Sequence, residues 1–144
     1  MAMQELDVQQ TILIVVGSEI RPEEKDRPIA YKLKQQIEKS PKYGKLPFRK
    51  CIVISDSLFE NDKIIQICPT ICIGGPGVNA VSARLFEKLP VYYRKEECFY
   101  IQYDKNIQNN RVSLWGMDQA TTEESVDYFI STGLLEEYLS KVWN

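Results

Sequence analysis

The chain has no histidine. That removes Ser-His and Cys-His nucleophile pairs, a histidine general base, and any zinc site mixing histidine with cysteine. Cysteine is scarce as well: Cys51, Cys68, Cys72 and Cys98 are the four in 144 residues. Cys68 and Cys72 stand in a C-x3-C spacing, which is neither a zinc nor a redox spacing. Cys51, Cys72 and Cys98 fall in or beside strand-like runs, so the four are expected to be reduced thiols that pack as small hydrophobes, with no metal. An excess of one charge is missing too. Eighteen Lys and Arg stand against 20 Asp and Glu, a net charge of −2, which argues against nucleic-acid or membrane partners. No apolar run approaches the roughly 18 to 20 residues of a membrane span. Residues 1–10 are polar and acidic and lack the apolar core of a signal peptide, so the expected compartment is cytoplasmic.

What is present reads as one domain. Residues 1–10 are expected to be a flexible arm and 11–144 a single α/β domain. Thr11 to Val16 (T-I-L-I-V-V) and Lys50 to Ser55 (K-C-I-V-I-S) are apolar, β-branched runs of the kind buried on both faces of a sheet. Glu19 to Arg27 reads as a polar loop framed by Pro22 and Pro28, with a helix beginning at Pro28 and burying Ile29, Ala30, Leu33 and Ile37. Leu58 to Ile67 reads as a short helix capped by Asp56 or Ser57. Thr70 to Ile73 is a third strand, followed by a helix over Asn79 to Leu89. Cys98 to Tyr103 and Arg111 to Trp115 form an antiparallel hairpin through a turn around 106–110. Helices over 121–131 and 134–142 follow, broken at Gly133. The pattern predicts a three-layer, Rossmann-like α/β sandwich with a mostly parallel five-stranded sheet and one antiparallel edge strand.

In such sheets, ligands gather at the carboxyl ends of parallel strands. The first three strand ends are Gly17-Ser18-Glu19, Ser55-Asp56-Ser57 and Gly74-Gly75-Pro76-Gly77-Val78-Asn79. Each is a small or polar cluster after an apolar run, and together they define a cleft. The expected ligand-binding residues are Gly17, Ser18, Gly74, Gly75, Gly77, Asn79 and Arg21, with Arg27 also in reach of an anion. Glu19 and Asp56 are the candidate nucleophile or base. Glycines allow a tight turn and close approach, and the first N–H groups of the following helix are expected to point at an anionic group. The formal G-x-G-x-x-A match, Gly75 through Gly77 to Ala80, follows the third strand rather than the first, and Pro76 removes a donor. A full NAD site is therefore not expected, there is no P-loop, and no cofactor is called for.

Two further features compete for roles. Lys32, Lys34, Lys39, Lys42, Lys45, Arg49 and Lys50 form a basic stretch with Tyr43 and Phe48 nearby, expected to be a solvated face. Trp115-Gly116-Met117-Asp118 ends the last strand. With the fourth strand parallel, which short right-handed connections favour, this motif goes to the edge opposite the elbow. Were Val91 to Glu97 to cross back first, Trp115 and Asp118 would join the cleft.

Ile73 to Asn79 (I-G-G-P-G-V-N), followed by a hydrophobic strand, Gly116-Met117-Asp118 and Thr121 or Thr122 opening a helix, resembles the G-G-P-x-x-N and G-x-D-x-x-x-T pattern of cell-wall-binding repeats and archaeal S-layer terminal domains. The resemblance covers about the C-terminal half. It implies a Rossmann-like domain with a binding or surface-attachment role. The whole chain reads as a stand-alone protein carrying that elbow.

The leading functional expectation is a cytosolic module binding a nucleotide or other anionic metabolite at the elbow. The alternative is a small transferase or glycosidase acting on a nucleoside-type substrate through Glu19 or Asp56. A third reading is a protein-interaction module meeting its partner through Tyr92, Tyr93 and Trp115. A homo-oligomer is expected, because Pro90 to Tyr93 and the terminal Val142-Trp143 need apolar cover.

Overall fold

A computed structural model describes residues 7–44, 46, 48–104 and 110–143, apart from the side chains of residues 21–23. Six strands form one mixed sheet in the order β2-β1-β3-β6-β5-β4. Strands β1 (Thr11–Val16), β2 (Lys50–Ser55), β3 (Thr70–Ile73) and β6 (Arg111–Gly116) run parallel. Strand β5 (Phe99–Tyr103) is antiparallel to β6, and β4 (Val91–Lys95) is antiparallel to β5.

All six residues of β1 are buried because the strand is covered on both faces. Its alternate side chains separate as strand geometry dictates. Ile12, Ile14 and Val16 join a cluster with Ile29, Ala30, Leu33 and Ile37 of α1 (Ile20–Glu38), Phe129 of α4 (Gln119–Ser131) and Tyr138 of α5 (Leu134–Val142). Leu13 and Val15 join a second cluster with Phe59 of α2 (Asp56–Asn61) and Val81 and Leu85 of α3 (Ala80–Leu85). Each fully buried Val, Leu or Ile contributes roughly 1.5–3 kcal/mol against exposure, so the two clusters carry the fold.

Several expectations are corrected. The sheet has six strands, not five: β4 lies at the edge, and the reversed strand β5 lies inside it. From β3 the chain passes two strand positions to lay β4 at the edge, then returns through β5 and β6. Strand β5 is therefore antiparallel and β6 neighbours β3, which brings Trp115 and Asp118 to the elbow's edge of the sheet. Helix α1 starts at Ile20, so the expected loop over 19–27 is helical and Pro28 lies inside the helix. Pro28 is exposed, so the Glu24 carbonyl it leaves without an intrahelical bond can turn to water while burial of the opposite face keeps the helix together. Helix α2 is capped by Ser55, whose Oγ accepts from Leu58 N–H at 3.2 Å, and ends at Asn61; Ile65–Ile67 form a separate 3₁₀ turn. Helix α3 is shorter than the expected 79–89 span.

Residues 1–6 of the expected arm and most of the turn after β5 lie outside the described residues. Within 7–10, the Gln10 carbonyl accepts from Lys50 N–H and from the Trp143 indole. Trp143 is only 2% exposed, so the terminal aromatic is core and needs no cover from a second chain. Val91 and Tyr92 on the edge strand do remain exposed. The basic stretch is partly consumed by intramolecular pairing. Lys32 pairs with Glu123 and Asp127, Lys34 pairs with Glu38, and Arg49 donates to Gln10 and to the carbonyls of Tyr43 and Trp143. All four cysteines are free, and burial pushes the Cys51 and Cys72 thiols up to about 12. No described helix is long and apolar enough to cross a membrane.

Candidate ligand-binding cleft

The ends of β1, β2, β3 and β6 open on one edge of the sheet, and the glycine elbow divides that edge into two lobes. Gly74 begins the elbow at φ +104°, a conformation that L side chains rarely adopt. Its missing side chain matters as much: a Cβ would lie 2.7 Å from Asp26 Oδ2. The elbow closes through Val78 and Asn79 N–H groups donating to the Gly75 carbonyl.

Asn79 fixes the floor. Its Nδ2 donates to the Val15 and Ile73 carbonyls, both at 3.0 Å, joining the ends of β1 and β3. Its Oδ1 accepts from Val81 and Ser82 N–H groups and so caps α3. Both amide hydrogens and two acceptor positions are spent, so this residue, expected to bind ligand, holds the site together instead. The Ala80 N–H is also taken, by Asp56 Oδ2 at 2.8 Å. The expectation that free N–H groups of α3 face a ligand is thereby corrected: carboxylate and amide oxygens of the chain itself occupy them.

The first lobe is a cavity of about 480 Å³ bordered by Ser18, Glu19, Asp56, Ser57, Glu60, Gly77 and Asn79. It brings both expected carboxylates to one place. Gly17 is buried behind it and does not line it. The Arg21 side chain lies outside the described part of the structure. Asp56 is 6% exposed, and its Oδ1 has no hydrogen-bond partner among the described residues. A buried oxygen without a partner costs about 1–3 kcal/mol. Glu60 is held by Arg84 at 2.9 Å. Of the four helices that start on this edge, only α1 lacks a side-chain cap.

The second lobe, about 420 Å³, is bordered by Lys25, Asp26, Gly74, Gly75, Gly77, Trp115, Met117 and Asp118. The Trp115 ring stacks on Tyr100 at 4.5 Å between centroids, and its Nε1–H donates to Gln102 Oε1 at 3.0 Å. Two contacts thus fix the ring as a wall, and the Gly75 backbone rests against it. Desolvation raises the Asp26 carboxyl to about 6, with Lys25 opposing. Asp118 caps α4 by accepting from Thr121 N–H at 2.9 Å, the main cause holding its carboxyl below the usual value. A Cβ at Gly116 would sit 2.4 Å from Thr121, so the glycine lets α4 close against the strand end. The spacing Gly116, Asp118, Thr121 therefore has a structural reason: close approach, cap, and the reciprocal bond from Asp118 N–H to Thr121 Oγ1.

Asp26 is the residue of the cleft that sequence reasoning missed, and Trp115 was expected there only in the less favoured of the two topologies. A signal for Asp26 existed. Positions 26, 29, 30, 33 and 37 share one helical face, and Asp26 is the polar member of an otherwise apolar row. The two segments that carry the resemblance, 73–79 and 116–122, meet across this second lobe. No family model matches the chain, and no curated protein matches it either.

The aromatic surface expected to meet a partner is largely spent within the fold. Tyr93 stacks on Tyr128 at 4.2 Å, and Trp115 stacks on Tyr100.

Proposed function

We propose that the protein is a small-molecule-binding module whose ligand is a nucleoside or nucleotide lying across the glycine elbow. The observation that carries this reading is the cavity of about 480 Å³ that Glu19, Asp56 and Glu60 border together, with Asp56 only 6% exposed and its Oδ1 without a partner among the described residues. The first lobe offers acceptors, from Glu19, Asp56 and Glu60, while the start of α3 has no N–H left for an anion. The group that fits is rich in hydrogen-bond donors, as the hydroxyls of a sugar are. A phosphate on that sugar has the uncapped start of α1 beside Glu19 as its site, where the helix dipole favours negative charge.

Titration calorimetry of a nucleoside, its 5′-phosphate and inorganic phosphate tests this. The nucleoside and its 5′-phosphate are expected to bind, phosphate alone is not, and Asp56→Asn should weaken nucleoside binding at least tenfold. Unchanged affinity in Asp56→Asn, or no nucleoside binding at millimolar concentration, overturns it.

A second reading, transfer or hydrolysis at a glycosidic bond, is favoured by Glu19 and Asp56 bordering the same lobe. Release of free base from a nucleoside, lost in Asp56→Asn and in Glu19→Gln, would establish it. No release from any nucleoside tried with phosphate or water as acceptor would leave the binding role alone.

A further inference from the structure

The second lobe holds a chemistry distinct from the first. Asp26 is 7% exposed, borders the cavity of about 420 Å³, and has no hydrogen-bond partner among the described residues. It comes close to the elbow because Gly74 has no side chain to exclude it. A carboxylate there offers two coplanar acceptors that no donor among the described residues meets. Its complement is a pair of adjacent N–H donors held in one plane. Trp115, immobilised by Gln102 and Tyr100, supplies a flat apolar wall against which a ring can pack.

Among the described residues, the charged groups that share this lobe with Asp26 are Lys25, on its own helix, and Asp118, at the start of α4. Lys25 favours the ionised form of both carboxyls. Asp118 is engaged in capping α4, which leaves Asp26 as the acceptor pair open to a ligand.

We propose that this lobe is the heterocycle subsite and that Asp26 accepts from a ring N–H and an adjacent amino group, the donor pair on the edge of a guanine ring. This rests on the reading that the first lobe holds the sugar of the same ligand. The elbow residues Pro76, Gly77 and Val78 border both lobes, so a ligand crossing the elbow reaches the two acids together. The form of Asp26 that pairs with two donors is the carboxylate. Since its carboxyl titrates at about 6, that form prevails at pH 7.5 and is lost on acidification.

The test is calorimetry with guanosine, inosine and adenosine on the wild type and on Asp26→Asn, together with a pH series on the wild type that needs no variant. Guanosine is expected to bind at least tenfold more tightly than inosine, which lacks the amino donor, and tighter still than adenosine. Its affinity should fall at least tenfold between pH 7.5 and pH 5. Asp26→Asn should remove the preference for guanosine over inosine. Equal affinities for the three nucleosides, or a guanosine affinity that does not change with pH, overturn the subsite and leave the nucleoside reading standing. Failure of all three to bind overturns both.

Discussion

The two lobes differ less in size than in how their buried acids are held. Asp56 stands at the first position of a helix, directly after a strand, and one of its oxygens is tied to the Ala80 N–H. Asp26 stands inside a long helix, with neither oxygen bonded to a described residue. The first acid has a structural duty and one spare oxygen. The second has none that the described contacts show, and its desolvation raises its own pKa. A carboxyl kept buried without a partner opposes folding, and such groups cluster where a protein binds or reacts. The comparison therefore ranks Asp26 as the acid whose presence is hardest to explain by stability.

Four substitutions break or sharpen that contrast, in descending order of effect. Asn79→Ala should be the most destabilising, by about 4 kcal/mol in urea unfolding, because it uncaps α3 and leaves the Val15 and Ile73 carbonyls without their bridge. A loss below about 1 kcal/mol would show that the first lobe does not depend on this bracket.

Asp26→Asn should act in the opposite direction. The folded carboxyl keeps its proton up to about 6, against a reference value of 3.8. Folding therefore takes up a proton between those values, and the Asp26 contribution to stability falls as pH rises from about 4 to about 6. Two pKa units correspond to roughly 3 kcal/mol at most, so the variant should be more stable than wild type at pH 7.5 by up to that amount and no more stable below pH 4. A pH-independent difference between the two proteins would mean that the carboxyl is not desolvated.

Gly74→Ala follows. It combines a positive φ with a Cβ 2.7 Å from Asp26 Oδ2, and should cost about 2 kcal/mol in thermal unfolding. Adding Asp26→Asn should not restore the loss that comes from φ. Gly77→Val is the mildest for the fold, within about 0.5 kcal/mol, since a Cβ there meets nothing within 4 Å. It should still weaken nucleoside binding at least tenfold, because residue 77 borders both lobes. Undiminished binding in Gly77→Val would place the ligand away from the elbow.

The first lobe was legible because its residues follow their strands directly: Ser18 and Glu19 after β1, Asp56 after β2, Gly77 after β3. Strand ends are local features, and apolar runs such as T-I-L-I-V-V announce them. The second lobe depends on events that are not local. Asp26 sits in a segment dense in charge between two prolines, which has the composition of a loop, and its one local sign of a helix is the face it shares with Ile29, Leu33 and Ile37. Trp115 reaches the cleft because β4 takes the edge and forces β5 to run backwards. Strand β4 lacks alternation, with exposed Val91, Tyr92, Arg94 and Lys95, so the period-2 signal was absent where it decided the topology. The helix starts were read one to four residues past their true caps, Ser55 rather than Asp56 or Ser57 and Asp118 rather than Thr121 or Thr122, because neighbouring polar residues compete equally in sequence.

The placement of the two tryptophans also gives the molecule a built-in optical probe. Trp143 is sealed in the core, 2% exposed, with its indole N–H committed to the Gln10 carbonyl. Trp115 borders the second lobe. With no other tryptophan in the chain, emission from Trp143 should stay constant while the fold holds, and any change on adding a ligand should come from Trp115. Occupancy of the lobe can then be followed by fluorescence without a label, and Trp143 emission shifting to longer wavelength would separately signal loss of the core.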